Sequence, residues 1–152
     1  MIDGIERLEA MLQAPIKPVG SYVFVKQAGD VVYTSGIIPL RDGVLLAKGK
    51  LGAEVSLETG QECAKQCALN ALSLVREHLG GKLTSLREVV SLRVIVASTP
   101  DYVDHANVAN GASDFLVEAF GEFGKHCRAA FGASSLPLDA PVEIEFVFRI
   151  EG

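Results

Sequence analysis

Cysteine is scarce in this sequence: three residues, Cys63, Cys67 and Cys127, occur among 152, an odd number in no framework spacing. That excludes a small scaffold held by disulfides. No apolar run approaches the roughly 20 residues that a membrane-spanning helix needs, so no membrane partner is expected. Met1 to Leu12 lack the positive stretch and apolar segment of a signal peptide. They read as an amphipathic helix, and a cytoplasmic protein is expected. Basic runs are missing as well. Lys and Arg number 14 against 19 Asp and Glu, a net charge of −5. Without a basic stripe there is little to grip a phosphate backbone, so no nucleic-acid partner is expected, although a local cationic pocket for a small anion is compatible with that charge. A glycine-rich phosphate loop with lysine is absent, and Thr34-Ser35-Gly36 lacks the nucleophile-elbow pattern. No repeat, low-complexity tract or linker divides the chain. Residues 1–152 therefore read as one domain, long enough to bury a core.

Apolar residues make up 49% of the chain, an ordinary globular share, and their spacing sorts them into elements. Ile5, Leu8 and Leu12 fall at helical spacing, and Ala14-Pro15 ends this helical extension over residues 1–16. Tyr22 to Gln27 and Val31 to Ser35 flank Gly29-Asp30 and read as a hairpin, closed by Gly36 and Pro39. Arg41-Asp42-Gly43 is a further turn before the apolar stretch Val44 to Ala47. Ser56 suits an N-cap, with Glu58 in the first turn. A long helix should run from there to about Leu79, where Gly80-Gly81 stops it. Glu88 to Ala97 alternates as a strand, with Val90, Leu92, Val94 and Val96 expected on one face. Val89, Ser91, Arg93 and Ile95 are expected on the other. A second helix spans about Tyr102 to Phe120, weakened at Asn110-Gly111. Cys127 to Ala133 and Val142 to Ile150 are the closing strands. In the last, Val142, Ile144, Phe146, Phe148 and Ile150 oppose Glu143, Glu145, Val147 and Arg149.

The order helix, β, β, helix, β, helix, β, β predicts an α+β layer fold with both main helices on the apolar sheet face. The other face mixes Glu, Arg and apolar residues. Packing it against copies of the chain in a closed ring would cover it.

The stretch richest in chemistry is His126-Cys127-Arg128-Ala129-Ala130-Phe131, followed by Leu136-Pro137-Leu138-Asp139 and Val142-Glu143-Ile144-Glu145. Alternation puts His126, Arg128 and Ala130 on one strand face, and Glu143 with Glu145 on one face of the next strand. If both are the mixed face, Arg and Glu can meet there. An ion pair between strands or subunits is one reading, and it contributes little where exposed. An anion pocket is the other: a guanidinium grips a carboxylate through two parallel hydrogen bonds, and a neighbouring carboxylate can orient or deprotonate a water. His126 could move a proton there or sit at a rim or interface. Cys63 and Cys67 lack a second ligand pair and read as core residues, so no metal is expected. Cys127 is expected to face the helices, buried and inert. His105 falls in the first turns of the second helix without an evident partner.

These residues resemble a known family. Tyr22, Ser35 and Gly36, with Pro39 following, resemble the opening of the Rid/YjgF family, members of which are also labelled endoribonuclease L-PSP or translation inhibitors. Arg128 through Leu136-Pro137 to Val142-Glu143-Ile144-Glu145 resembles its closing signature, with no gap between the arginine and the glutamate. The resemblance runs from about Gly20 to Ile150. It implies a chorismate-mutase-like fold, with a mixed β-sheet carrying two main helices on one face and an extra N-terminal helix. It also implies a homotrimer with sites in clefts between subunits. The implied activity is hydrolysis of reactive 2-imino and enamine acids to 2-keto acids and ammonia, without cofactor or metal. Arg128 matches the arginine that grips the substrate carboxylate, and Glu143 the glutamate that positions the attacking water. Tyr22, Ser35 and Gly36 match pocket-lining positions. His126-Cys127 stands where the family usually has Pro-Ala, Ile37 where a glutamine is frequent, and Ala130 where a cysteine is frequent. His126, Ile37 and Ala130 are therefore expected in the pocket, making it more apolar near Ile37 and Ala130. Two alternatives are a non-catalytic binder of small carboxylates and an endoribonuclease or translation inhibitor; the acidic charge weighs against the second.

Overall fold

The computed structural model describes residues 2–18 and 20–152. The opening helix α1 spans Ile2–Met11, and its expected start at Met1 lies outside the described residues, as does Val19. Leu8 is buried, with Ile5 and Leu12 packed beside it on the core. Glu9 fixes this helix to the body: its Oε1 accepts from the Leu83 N–H at 2.7 Å, and its carbonyl accepts from Arg76 Nη1 at 3.2 Å.

Seven strands follow in chain order: β1 (Val25–Ala28), β2 (Val31–Thr34), β3 (Leu40–Arg41), β4 (Val44–Leu45), β5 (Leu86–Ala97), β6 (Cys127–Ala133) and β7 (Val142–Ile150). Five of them form a mixed sheet in the order β1-β2-β7-β5-β6, and β3 pairs with β4 as a separate hairpin. Among the described residues only β5 and β6 pair in parallel within the sheet. Parallel neighbours need a crossover, supplied by α3 (His105–Phe120). The first hairpin strand is shorter than its sequence suggested. Tyr22 precedes β1, in a segment whose polar groups turn to Ser35 rather than to the sheet.

The long helix α2 (Leu57–His78) begins and ends as its caps dictate. Ser56 Oγ accepts from the Thr59 N–H at 3.2 Å, and Gly80 and Gly81 take φ of +86° and +109°, a region favouring glycine. Its polar stripe works inward: Gln66 Nε2 donates to Asn70 Oδ1 at 2.9 Å, and Asn70 Nδ2 donates to the carbonyls of Ile38 (3.1 Å) and Leu40 (2.9 Å). These bonds hold the loop after Gly36 against α2. Helix α3 begins at His105, three residues later than expected, and continues unbroken through Gly111.

Both main helices lie on the face carrying Ile144, Phe146 and Phe148 of β7, which are fully buried together with Leu92, Val94 and Val96 of β5. Burying each such side chain stabilises by about 1.5–3 kcal/mol before entropic costs. The alternation of β7 holds along its whole length. That of β5 does not: irregularities in its pairing with β7 fall between Leu86 and Glu88 and between Val89 and Ser91. Each bulge inserts a residue and reverses the parity. Val89 therefore joins the buried face opposite Phe148, and Val90 is left half-buried, the reverse of the expected assignment. The opposite face is open. Across it run Glu143, Ile95 and Phe131 in one row, Glu145, Arg93 and Ala129 in the next, then Tyr33, Val147, Ser91 and Cys127. No described helix is long and apolar enough to cross a membrane.

Candidate functional site

On the open face, Glu143 lies against the main chain where β2 ends. A Cβ at Gly36 would stand 2.5 Å from Glu143 Oε1, so glycine is what allows the carboxylate to lie there. The register is pinned by Ile37 N–H to the Ile144 carbonyl at 2.9 Å and its reciprocal at 3.0 Å. Ser35 ties in the preceding segment, its N–H donating to the Phe24 carbonyl at 2.8 Å and its Oγ to that of Val23 at 2.7 Å. Tyr22 stands on this segment, exposed, its ring edge-on to Phe24 at 5.7 Å. Glu143 is half-buried, and burial, then the neighbouring Glu145 charge, push its carboxyl above the usual carboxylate range. Ile37 contributes no side-chain surface. It is fully buried in the helix-covered core, because its main-chain bridge to Ile144 directs the side chain inward. That corrects its expected place in the pocket.

Arg128 is elsewhere. The parallel pairing sets Arg128 beside Leu92, Ala130 beside Val94 and Gly132 beside Val96, all on the helix-covered face. Its guanidinium reaches α3: Nη1 donates to Asn110 Oδ1 at 2.8 Å and Ser113 Oγ at 3.1 Å, and Nη2 to the Ala106 carbonyl at 3.3 Å. His126 completes the arrangement, with Nδ1 2.6 Å from the Gly124 carbonyl and Nε2 2.8 Å from Ser113 Oγ. Since a carbonyl only accepts, the neutral ring carries its proton on Nδ1, and the Ser113 hydroxyl donates to Nε2. Nδ1 thus anchors the ring to the Gly124 carbonyl, and Nε2 holds Ser113 toward Arg128. Ala130 is half-buried beside the core.

Within one protomer, then, Arg128 and Glu143 do not meet; they project from opposite faces of the sheet. The Arg–Glu contact expected on the mixed face does occur, but Arg93 makes it, with Nε 3.5 Å from Glu145 Oε2 and its guanidinium 5.8 Å from the centre of the Phe131 ring. Arg149 and Glu88 form a second pair at 2.8 Å. Cys127 takes the open face and is exposed, not buried, because Ser91, its partner on β5, lies on that face. Cys63 and Cys67 are buried in α2 as expected, and burial pushes the Cys63 thiol up to about 11. Sequence reasoning missed Asn110 and Ser113, although Ala106, Asn110 and Ser113 are spaced four and three apart and so share one helix stripe. It also missed the partner of His105, which is Ser98, at 3.1 Å.

Comparisons with known proteins agree with this architecture. The family model described as "YjgF/chorismate mutase-like, putative endoribonuclease" matches residues 6–149. Protein TCP17 of Trypanosoma cruzi is 37% identical over 148 residues, covering 97% of this chain and 92% of that protein. The crystal structure of Atu1372 from Agrobacterium tumefaciens, a protein of unknown function, superposes with a TM-score of 0.89 at 36% identity, over 98% of this chain and 92% of that one. The crystal structure of a putative endoribonuclease from Shewanella oneidensis gives a TM-score of 0.91 at 27% identity, over 97% of this chain and 99% of that one.

Proposed function

Because the chain belongs to the YjgF/chorismate mutase-like family, we propose that it hydrolyses reactive 2-imino acids to 2-keto acids and ammonia, in a homotrimer whose sites combine Arg128 of one copy with Glu143 of the next. The observation that carries this reading is the state of Arg128. It is exposed, it is fixed by three acceptors on α3, and no carboxylate stands within ion-pair distance of it among the described residues. Nη1 has two acceptors, whereas Nε donates to nothing among the described residues and Nη2 has a single acceptor. That edge of a guanidinium is the one that takes a carboxylate through two parallel bonds. Its orientation is set before the ligand arrives, so less freedom is lost on binding.

The chemistry then asks little more. An imine carbon is already electrophilic, and once its carboxylate is held the need is a positioned water. Glu143 takes a proton from that water as the oxygen adds to the carbon. As the C=N π pair moves to nitrogen, that nitrogen takes the proton from Glu143 to give the carbinolamine. Glu143 then accepts the carbinolamine hydroxyl proton and passes it to the amine, the C–N bond breaks, ammonia leaves and the C=O bond forms. A raised carboxyl pKa suits a group that must accept a proton and return it. Gly36, Ser35 and Tyr22 would shape the Glu143 side of the cleft, and His126 would act through Ser113 rather than on the substrate.

The test generates imines in place with an amino-acid oxidase and follows keto-acid release. Wild-type protein should accelerate release, and Arg128→Ala, with an unchanged circular dichroism spectrum, should abolish the acceleration. No acceleration across a broad set of amino acids would sink the catalytic reading. Saturable 2-ketobutyrate binding in calorimetry, lost in Arg128→Ala, would then leave a non-catalytic carboxylate binder.

A further inference from the structure

A separate cavity of about 300 Å³ opens where β5 and β6 end, beside the first residue of α3. In a β-α-β unit with parallel strands, ligands favour this edge, outside the carboxyl ends of the strands. Lys50, Ser98, Tyr102, His105 and Ser134 line it, and among the described residues no Asp or Glu does. The Lys50 ammonium has no carboxylate within ion-pair distance among the described residues. Glu54 instead accepts from the Lys50 main-chain N–H at 3.0 Å.

The floor of the cavity is built rather than incidental. Ser98 is buried, and its Oγ lies 3.1 Å from His105 Nε2. Strand β6 passes beneath at Gly132, where a Cβ would come within 2.7 Å of both His105 Nε2 and Ser98 Oγ. Tyr102 braces the imidazole edge-on at 5.5 Å. Three elements thus converge on one hydroxyl–imidazole pair. Nothing among the described residues bonds His105 Nδ1, so no third group orients the imidazole as a hydrolytic triad requires. Binding is the better reading of the pair.

We propose that this cavity binds a small oxyanion, a phosphate or a carboxylate group, with the Lys50 ammonium and the Ser98 hydroxyl as donors and His105 as the residue that positions Ser98. The site is distinct from that of Arg128, which shares the strand face of Gly132 but lies four residues back, about 13 Å along a strand. The proposal does not rest on the deaminase reading.

The test is an amide-resolved NMR titration of the full chain, with inorganic phosphate in one arm and 2-ketobutyrate in the other. Saturable shifts at Ser98, Thr99, Gly132 and Ser134 are expected, and the arm with the tighter constant identifies the anion class. Lys50→Gln and Ser98→Ala should each weaken that binding about tenfold, the loss of one hydrogen bond to a charged group. Arg128→Ala should leave it unchanged. Should Ser98→Ala fail to fold, Lys50→Gln, at a half-buried loop position, decides alone. The proposal is overturned if neither anion gives saturable shifts at these amides, if Lys50→Gln binds as tightly as wild type, or if Arg128→Ala abolishes the shifts.

Discussion

Arg128 and Glu143 leave the same sheet on opposite faces, the first toward α3 and the second toward the open side. A site needing both cannot be assembled within one copy. A head-to-tail contact that closes into a ring can supply it, each copy offering its arginine edge to the glutamate face of the next. The open face suits such a contact, since it carries the exposed Tyr33 and Phe131 among its charges. A complementation experiment follows. Arg128→Ala and Glu143→Gln proteins should each be inactive in imine hydrolysis. Unfolded together and refolded at equal amounts, they should regain about a quarter of the wild-type sites, because random cyclic trimers pair an intact arginine with an intact glutamate at that frequency. Recovery indistinguishable from zero, with mixed trimers demonstrated by mass spectrometry, would dismiss the shared site.

Glu143 also predicts a stability effect of definite sign. Its carboxyl is raised by burial first and by Glu145 second, so the folded state binds its proton more tightly than the unfolded chain does. Its contribution is therefore most favourable below the ordinary carboxylate range and is lost as pH rises through the raised folded value. At neutral pH the ionised group weakens the fold. Glu143→Gln should raise the melting temperature at pH 7, and the advantage should shrink as pH is lowered from the raised folded value to about 4, below which both states are protonated and the gap changes no further. Equal melting temperatures at pH 7, or a gap that widens in acid, would contradict this. A residue that weakens the fold while lying against Gly36 is in keeping with a functional role.

The two closing strands show how far local pattern reaches. On β7, five buried residues alternate with four half-buried ones over its whole length, and that periodicity is written in the residues themselves. On β5 two bulges reset the parity, and no residue type in Leu86 to Ser91 announces them. On β6 the orientation depends on a long-range register, Ser91 beside Cys127 and Leu92 beside Arg128; a one-residue slip would exchange every side chain between faces. Composition misleads at this strand. It carries small residues on both faces, Cys127 looks like a core residue, and Phe131 is nonetheless exposed. The resemblance therefore singles out Arg128 and Glu143, but their placement on opposite faces of the sheet was not legible. The Ser98–His105 pair was hidden for a related reason. The two lie seven apart in the chain but in different elements, joined by a loop whose path no periodicity records.

Gly111 gives the sharpest contest between a local rule and packing. Glycine inside a helix is normally about 1 kcal/mol less favourable than alanine, so propensity alone predicts that Gly111→Ala stabilises α3. The packing says otherwise: a Cβ at Gly111 would stand 2.0 Å from the Gln61 carbonyl oxygen, and 2.6 Å from its carbon. These are main-chain atoms of α2 and cannot swing aside, so α3 must move away from α2 as a body. Overpacking of this kind costs about 1–3 kcal/mol or more, which in a domain of this size lowers the melting temperature by roughly 3–10 °C. The displacement should reach the arginine as well, since Asn110 and Ser113, which flank this position, hold its guanidinium. Gly111→Ala should therefore both melt earlier and bind 2-ketobutyrate more weakly, whereas a destabilising change at the far end of α2 should only melt earlier. A melting temperature at or above that of wild type would mean that the two helices do not touch at Gly111 in solution.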